Sequence, residues 1–324
     1  MRAESKQVSR HIGWMVLAGL YAVAGAANAQ DYPTRPIRFV TAAIGGGIDF
    51  NARMLAQGLT ERLKQQVVVD NRGGTSVAEQ TVAKAVPDGY TLLVHNNTVW
   101  VSPLLGPVPY DHRKDLAPIA LLSRSPNILV VHPSLPVNSV KELIDRAKAA
   151  PGEIDYASGP VGAANHLAAE LFNALAGVKL TRIGYKGGGP AINDVLAGQV
   201  KVMFATTGSV SGHVKSGRLK ALAVTSAQPS PLAPGLPTVA ASGVPGYAAE
   251  AIYGFWAPTG TPAGILARLN REAVAVLGIP EVKQRFFNAG VEAVGTTPQE
   301  FAAVIKSESA HLGTVIRKAG LRTE

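Results

Sequence analysis

Cysteine is absent from the 324-residue chain. That excludes disulfides, thiolate metal sites and anchoring through a lipid-modified cysteine. The seven histidines are dispersed, with no His-x-x-x-His pair and no carboxylate grouping suited to a metal, so no metal is expected. No Gly-x-Ser-x-Gly elbow occurs; Ser158 stands in Ala157-Ser158-Gly159-Pro160, which does not present a nucleophile. Neither Gly-Lys-Ser/Thr nor Gly-x-Gly-x-x-Gly with a following acidic anchor is found. Short-period repeats and low-complexity tracts are missing too. With no acid, base or nucleophile gathered, binding is expected rather than turnover, and no cofactor.

Long apolar runs are limited to one. Residues 12–27 are apolar, follow Arg2, Lys6 and Arg10, and end in Ala27-Asn28-Ala29. This is the pattern of a secretory signal peptide over residues 1–29, with cleavage expected before Gln30 and an exported mature chain. The run is short for a membrane span and no second one follows, so the mature chain is expected to be soluble. Removing the leader leaves 28 basic against 21 acidic residues, a balance of +7. Those charges are scattered singly, which suits mild attraction of anionic solutes and not nucleic acid.

Residues 30–324 are long for one hydrophobic core, and apolar strands alternate with helical patterns throughout, so two α/β lobes are expected. Lobe 1 is assigned to 30–122 with 252–324, and lobe 2 to 123–251. The outward crossing falls between the apolar runs Ile119–Leu122 and Ile128–Val131, and Tyr253–Ala257 returns the chain. Tyr253, Phe255 and Trp256 read as hinge and core packing.

The stretch that organises the chain is Ile37–Leu63. Ile37, Phe39 and Val40 form a β-rich run, and Gly45, Gly46 and Gly47 make a turn. Asp49 reads as the N-cap of a helix over Phe50–Leu63, with Ala52, Leu55, Leu59 and Leu63 on its buried face. Such a helix start aims unpaired N–H groups and partial positive charge at the space above the strand end, where an anion fits. The same start occurs in phosphate loops, dinucleotide folds and plain tight turns, so this loop alone does not choose among them.

Further on, a third strand, Tyr90–Val94, ends in His95, Asn96, Asn97 and Thr98, small polar groups at a strand's C-terminal end, where open α/β sheets bind ligands. Ser139 reads as the cap of a helix through Lys148. The strand Ile154–Ala157 leads through the loop Ser158–Asn165 into a helix His166–Ala176 closed by Gly177. Asn165 can serve as a plain N-cap, and His166 as a capping or surface group. Leu180–Tyr185 precedes Lys186-Gly187-Gly188-Gly189, where Lys186 is either solvated or in contact with an anion. Val200–Phe204 ends in Ala205-Thr206-Thr207-Gly208. Helices are expected at Pro262–Leu277, Pro280–Ala289 and Pro298–Ala319.

Many collinear stretches together resemble a known family. They include Tyr32-Pro33-Thr34-Arg35-Pro36-Ile37, Val69-Asp70-Asn71-Arg72, Pro87-Asp88-Gly89-Tyr90-Thr91, Asn165-His166-Leu167-Ala168, Tyr185-Lys186-Gly187-Gly188 and Ala257-Pro258-Thr259-Gly260-Thr261-Pro262. The mature chain resembles, end to end, the Bug family of periplasmic solute receptors, the substrate-binding components of tripartite tricarboxylate transporters. The resemblance implies an α/β fold of the type II-like periplasmic-binding kind: two lobes, each a mixed sheet flanked by helices, with the ligand in the cleft between them. It implies a small organic carboxylate as ligand and, as partner, the membrane permease of a tripartite tricarboxylate transporter. A monomer is expected. A sensor role, with the closed lobes docking on a histidine kinase, is the alternative.

The loops that the resemblance marks as ligand-binding agree with those picked out above. They hold Ala43, Ile44, Gly45, Gly46, Gly47 and Asp49 after the first strand, and Asn96, Asn97 and Thr98 after the third. Ser158, Gly162, Asn165 and His166 follow in the second lobe, then Lys186 and Gly187, and finally Thr206. Two departures stand out: Ala42, Ala43 and Ile44 replace the usual prolines, and Ala205 stands where many relatives place an aspartate. A site wall less able to pair an ammonium group is expected, and with it a ligand bearing a carboxylate and an uncharged remainder, not an amino acid.

Overall fold

A computed structural model describes residues 32–319 except 43, 45, 75, 160–162 and 186; the expected signal peptide lies outside them. The first half of the chain runs β1 (Ile37–Thr41), α1 (Gly47–Leu63), β2 (Val67–Asn71), α2 (Val77–Ala83), β3 (Thr91–Asn96), α3 (Thr98–Leu105), α4 (His112–Asp115) and β4 (Leu116–Val131). It continues through α5 (Val140–Ala149), β5 (Asp155–Ser158), α6 (Ala164–Ala176), β6 (Thr181–Gly184), α7 (Gly188–Leu196), β7 (Val202–Thr206), α8 (Thr207–Lys215) and β8 (Lys220–Val224). The end comprises β9 (Glu250–Pro258), α9 (Ala263–Leu277), α10 (Pro280–Asn288), β10 (Glu292–Ala293) and α11 (Pro298–Ala319).

The strands follow the order β2-β1-β3-β9-β4-β7-β5-β6, with β8 and β10 also paired to β4. Strand β4 makes this possible. Its residues from Leu116 to Pro126 pair antiparallel with β9, and those from Asn127 to Val131 pair antiparallel with β7. The apolar runs Ile119–Leu122 and Ile128–Val131 belong to one 16-residue strand that runs through both halves, and its change of partner falls between them, within Ser123–Asn127. Polar Ser123, Ser125 and Asn127 stay in the strand because their backbone groups are laddered and their side chains are buried.

Alternation along the strands splits the core into layers. In the first half, Ile37, Phe39 and Phe255 pack under α1 and α9, while Val40, Leu93 and Trp256 pack under α3 and α11. In the second half, Leu129, Tyr156 and Phe204 meet Phe172 of α6, while Ile128 and Met203 meet Ile192 and Val210. Each half is thus a mixed sheet covered by helices on both faces, the two-lobed arrangement expected. Helix α1 tolerates Gly58 because a Cβ there would lie 2.4 Å from Val276 Cγ1 of α9, so glycine permits the close approach. The cost of about 1 kcal/mol for an internal glycine is offset by burying Leu55, Leu59 and Leu63, each of which contributes about 1.5–3 kcal/mol.

Several boundaries differ from those read in the sequence. Helix α1 begins three residues before Phe50, and its N-cap is Gly46, which offers no side chain; Asp49 lies inside the first turn. A carboxylate there still complements the helix dipole. Helix α6 starts at Ala164, ahead of His166, so Asn165 is not its N-cap; Ala163 is. Helix α3 escaped notice because Pro103 and the β-branched Val99 and Val101 argue against a helix, and α8 because Gly208 and Gly212 do. Helix α11 has the expected ends, and Ser139 caps α5, its Oγ accepting from Glu142 N at 3.1 Å.

Candidate functional site

Strand ends from both halves converge on β4 and β9. Asn96, which ends β3, lies opposite Tyr253 of β9, and Ser123 of β4 lies opposite the same tyrosine on its other side. Thr206, which ends β7, lies opposite Asn127 of β4. Tyr253 is buried, its phenol pushed up to about 12 by burial. A Cβ on Gly47 would meet its hydroxyl at 2.3 Å, so the N-terminus of α1 rests on Tyr253. Ala164, the first residue of α6, packs against the core cluster that contains Tyr253. The N-terminal end of α1 therefore rests on β9, and that of α6 borders the core of the first half.

The first loop is held by its own network. Asp49 is buried; its Oδ2 accepts from Arg53 Nε at 3.0 Å and its Oδ1 from Asn71 Nδ2 at 2.8 Å. Asn71 Nδ2 also donates to Ala42 O at 2.8 Å. Asp49 thus ties the loop to β2. Ile44 is 76 % exposed, and a Cβ on Gly46 would meet nothing within 4 Å. Ala43 and Gly45 lie outside the described residues. Asn51, which the sequence reading passed over, donates from Nδ2 to Gly47 O at 2.8 Å and accepts at Oδ1 from Ser123 Oγ at 2.6 Å. A polar residue beside the apolar stripe of Ala52, Leu55 and Leu59 was the available signal.

In the β3–α3 loop, Asn96 Oδ1 accepts from Thr98 N at 3.2 Å and from Thr98 Oγ1 at 2.5 Å. Asn97 is buried and donates from Nδ2 to Glu250 O, at the start of β9, at 3.0 Å. Beneath them His95 Nδ1 lies 3.2 Å from Thr98 Oγ1 and 3.7 Å from Glu79 Oε1, both His95 and Glu79 being buried.

In the second half, Ser158 is fully buried. Its Oγ accepts from Arg182 Nε at 2.8 Å and donates to Gly159 O at 3.2 Å. Arg182 Nη2 donates to Gly159 O at 2.8 Å, and Asn165 Oδ1 accepts from Gly159 N at 3.3 Å. His166 is buried, and burial, reinforced by the charge of Arg182, holds its imidazole below the usual value. Gly187 is the N-cap of α7, with nothing within 4 Å of the place a Cβ would take. Thr206 is exposed and donates from Oγ1 to Ser209 Oγ at 3.0 Å. Gly162 and Lys186 lie outside the described residues.

Arg182 and Asn127 were not singled out in the sequence; Thr207 belongs to the loop read there with Thr206. Thr207 Oγ1 donates to Pro126 O at 2.9 Å, locking α8 to the crossing strand. Asn127 is 1 % exposed, and among the described residues its Nδ2 has no hydrogen-bond partner. A separate cavity of about 830 Å³ lies between α3 and α11, lined by Leu104, Val108, Leu116, Trp256 and Ile305; it holds none of the candidate residues.

Two covered sheets joined through β4, with glycine and small polar loops following their strands, define the two-lobed binding-protein class. The chain belongs to the family described as the tripartite tricarboxylate transporter family receptor, whose model matches residues 51–321. It is 35 % identical over 306 residues to the protein BugT of Bordetella pertussis, covering 93 % of this chain and 94 % of that one. An R. palustris protein solved with adipate superimposes with a TM-score of 0.79 at 35 % identity, covering 90 % of this chain and 99 % of that one. The periplasmic binding protein BugD does so with a TM-score of 0.76 at 33 % identity, covering 90 % of this chain and all of that one. The protein is thus a member of a family of periplasmic solute receptors, the family that the collinear motifs resemble.

Proposed function

We propose that this chain binds one small organic carboxylate between two closing lobes, 30–122 with 252–324 and 123–251, and delivers it to the membrane permease of a tripartite tricarboxylate-type transporter. The observation that carries the reading is the convergence on Tyr253 and Asn127: strand ends from both halves abut β9 and β4, the strands along which such lobes hinge, and the N-terminus of α1 rests on Tyr253. In the proposed cleft, the loops at residues 43–49, 96–98, 158–166, 186–188 and 206–207 supply amides and hydroxyls to the carboxylate. Gly46 and Gly187 leave open space for it to approach the backbone. The adipate bound by the R. palustris relative belongs to the same chemical class.

Binding without turnover is supported by Ser158, whose hydroxyl is buried and engaged by Arg182 and not paired with a base. A ligand without an ammonium group is supported by Ala205, which is 1 % exposed and presents no carboxylate in β7. The leader expected over 1–29 supports a periplasmic site. Calorimetric titration of the chain from Gln30 onward with adipate and other mono-, di- and tricarboxylates tests the reading. Binding that is lost in Gly46→Trp, whose side chain would fill the cleft mouth, supports it; binding that survives this change overturns the cleft assignment.

A further inference from the structure

Arg182 stands on β6, the last strand of the sheet, in register with Tyr156 of β5. Its guanidinium does not point away into solvent but folds along the strand end. Nε donates to Ser158 Oγ and Nη2 to Gly159 O, each at 2.8 Å, so one planar group brackets the last residue of β5 and the first of the following loop. Gly184 makes the seat: a Cβ there would lie 3.0 Å from Nη2, 3.2 Å from Cζ and 3.3 Å from Nη1. Tyr185 N donates to Ser158 O at 2.9 Å, closing the bracket from below, and Asn165 Oδ1 takes Gly159 N from the other side. Among the described residues Arg182 forms no ion pair, and the Glu170 carboxylate, bonded to Tyr156, acts beside it on His166, so its charge is offset only in part. A charge-assisted fork of this kind is stronger and more directional than neutral hydrogen bonds, and its cationic character extends to the wall it supports.

Resting on the carboxylate-receptor reading above, we propose that Arg182 is a positioning residue for the ligand. It fixes the Ser158–Gly159 turn that leads to α6 and supplies the lobe-2 wall of the cleft with a permanent positive charge, selecting an anionic group over an uncharged one. The two roles separate by substitution. Lysine keeps the charge and loses the fork; glutamine loses the charge.

The test uses the ligand-free protein first. Amide hydrogen exchange of Ser158, Gly159 and residues 163–166 is expected to speed up about tenfold or more in both Arg182→Lys and Arg182→Gln, as for loss of a charged hydrogen bond. Exchange in β1–β3 stays unchanged. In an NMR titration, His166, which faces Arg182 and Glu170, keeps its depressed pKa in the lysine variant and rises in the glutamine variant. Titration with adipate, and with its diamide as the uncharged analogue, then reads selectivity. The wild type prefers adipate, Arg182→Lys retains that preference at lower affinity, and Arg182→Gln loses about tenfold or more of it. Unchanged exchange at Ser158, Gly159 and residues 163–166 in both variants overturns the bracket, and an unchanged adipate preference in Arg182→Gln overturns the charge role. If the wild type binds no carboxylate, the receptor reading fails, while the exchange result still decides the bracket.

Discussion

Gly290, after α10, and Gly208, in the first turn of α8, meet backbone to backbone. A Cβ on Gly290 would lie 2.5 Å from Gly208 N, and one on Gly208 would lie 2.8 Å from Ala289 O. Ser125 of β4 adds to the contact, its Oγ donating to Gly290 O at 2.9 Å. Glycine is required at Gly290 twice over, by this approach and by its φ of +74°. In the proposed lobe division, the contact joins the lobes directly beside the strands on which they hinge.

Gly290→Ala is expected to cost about 1–3 kcal/mol from backbone strain alone. At about 2–4 °C per kcal/mol for a chain of this size, thermal unfolding should show a loss of several degrees. Gly212→Ala is the contrasting case. A Cβ there meets nothing within 4 Å, and the residue is inside α8, so stability should rise by up to about 1 kcal/mol.

Asn51→Ala removes one partner from the buried Ser123 hydroxyl and one from the part-buried Gly47 O. A loss of about 1–3 kcal/mol is expected in denaturant unfolding. Because Asn51 and Ser123 share one hydrogen bond, the double variant Asn51→Ala/Ser123→Ala should cost less than the two single changes added together.

Glu308 on α11 is pushed up to about 7 by burial and by the Glu250 carboxylate, with Arg124 opposing; Arg124 Nη1 lies 3.5 Å from Glu250 Oε2. The folded state therefore holds a proton that the unfolded chain has already released above its ordinary value of 4.5. Stability contributed by this group is present below about 4.5 and is lost as pH rises to about 7. Glu308→Gln should flatten that segment, with a gain on the order of 3 kcal/mol over the wild type at pH 8 and little difference at pH 4.

Asn127→Leu replaces a buried side chain whose amide nitrogen lacks a partner among the described residues. The ligand-free protein should gain up to about 1–3 kcal/mol of stability. The same change beside Thr206 should weaken adipate binding, a trade visible by comparing melting curves with titrations.

The fold was largely legible because its signals are local. Short β-rich runs marked β1 and β3, Ser139 announced the cap of α5, and proline at the first turn announced α10 and α11. The continuity of β4 was not legible, since Ser123–Asn127 reads as a polar interruption until two partner strands are seen to ladder it. Asp49 misled for a related reason. It has the chemistry of a cap, but Asn71 and Arg53, distant in sequence or on the next turn, hold it inside the helix. The candidate loops stand out in the sequence because glycine and small polar residues follow strands. Arg182 was not found, because a lone arginine in a four-residue strand carries no pattern until Ser158, Gly159 and Gly184 surround it.

The most direct measurement of the central claim is calorimetric titration of the chain from Gln30 onward with adipate against aspartate and glutamate, backed by thermal unfolding in the same solutions. A binding carboxylate at a hundred times its Kd should add about 2.7 kcal/mol to the folded state, raising the melting temperature by several degrees, while the two amino acids leave it unchanged. Tight binding of aspartate or glutamate, with no response to carboxylates lacking an ammonium group, would contradict it.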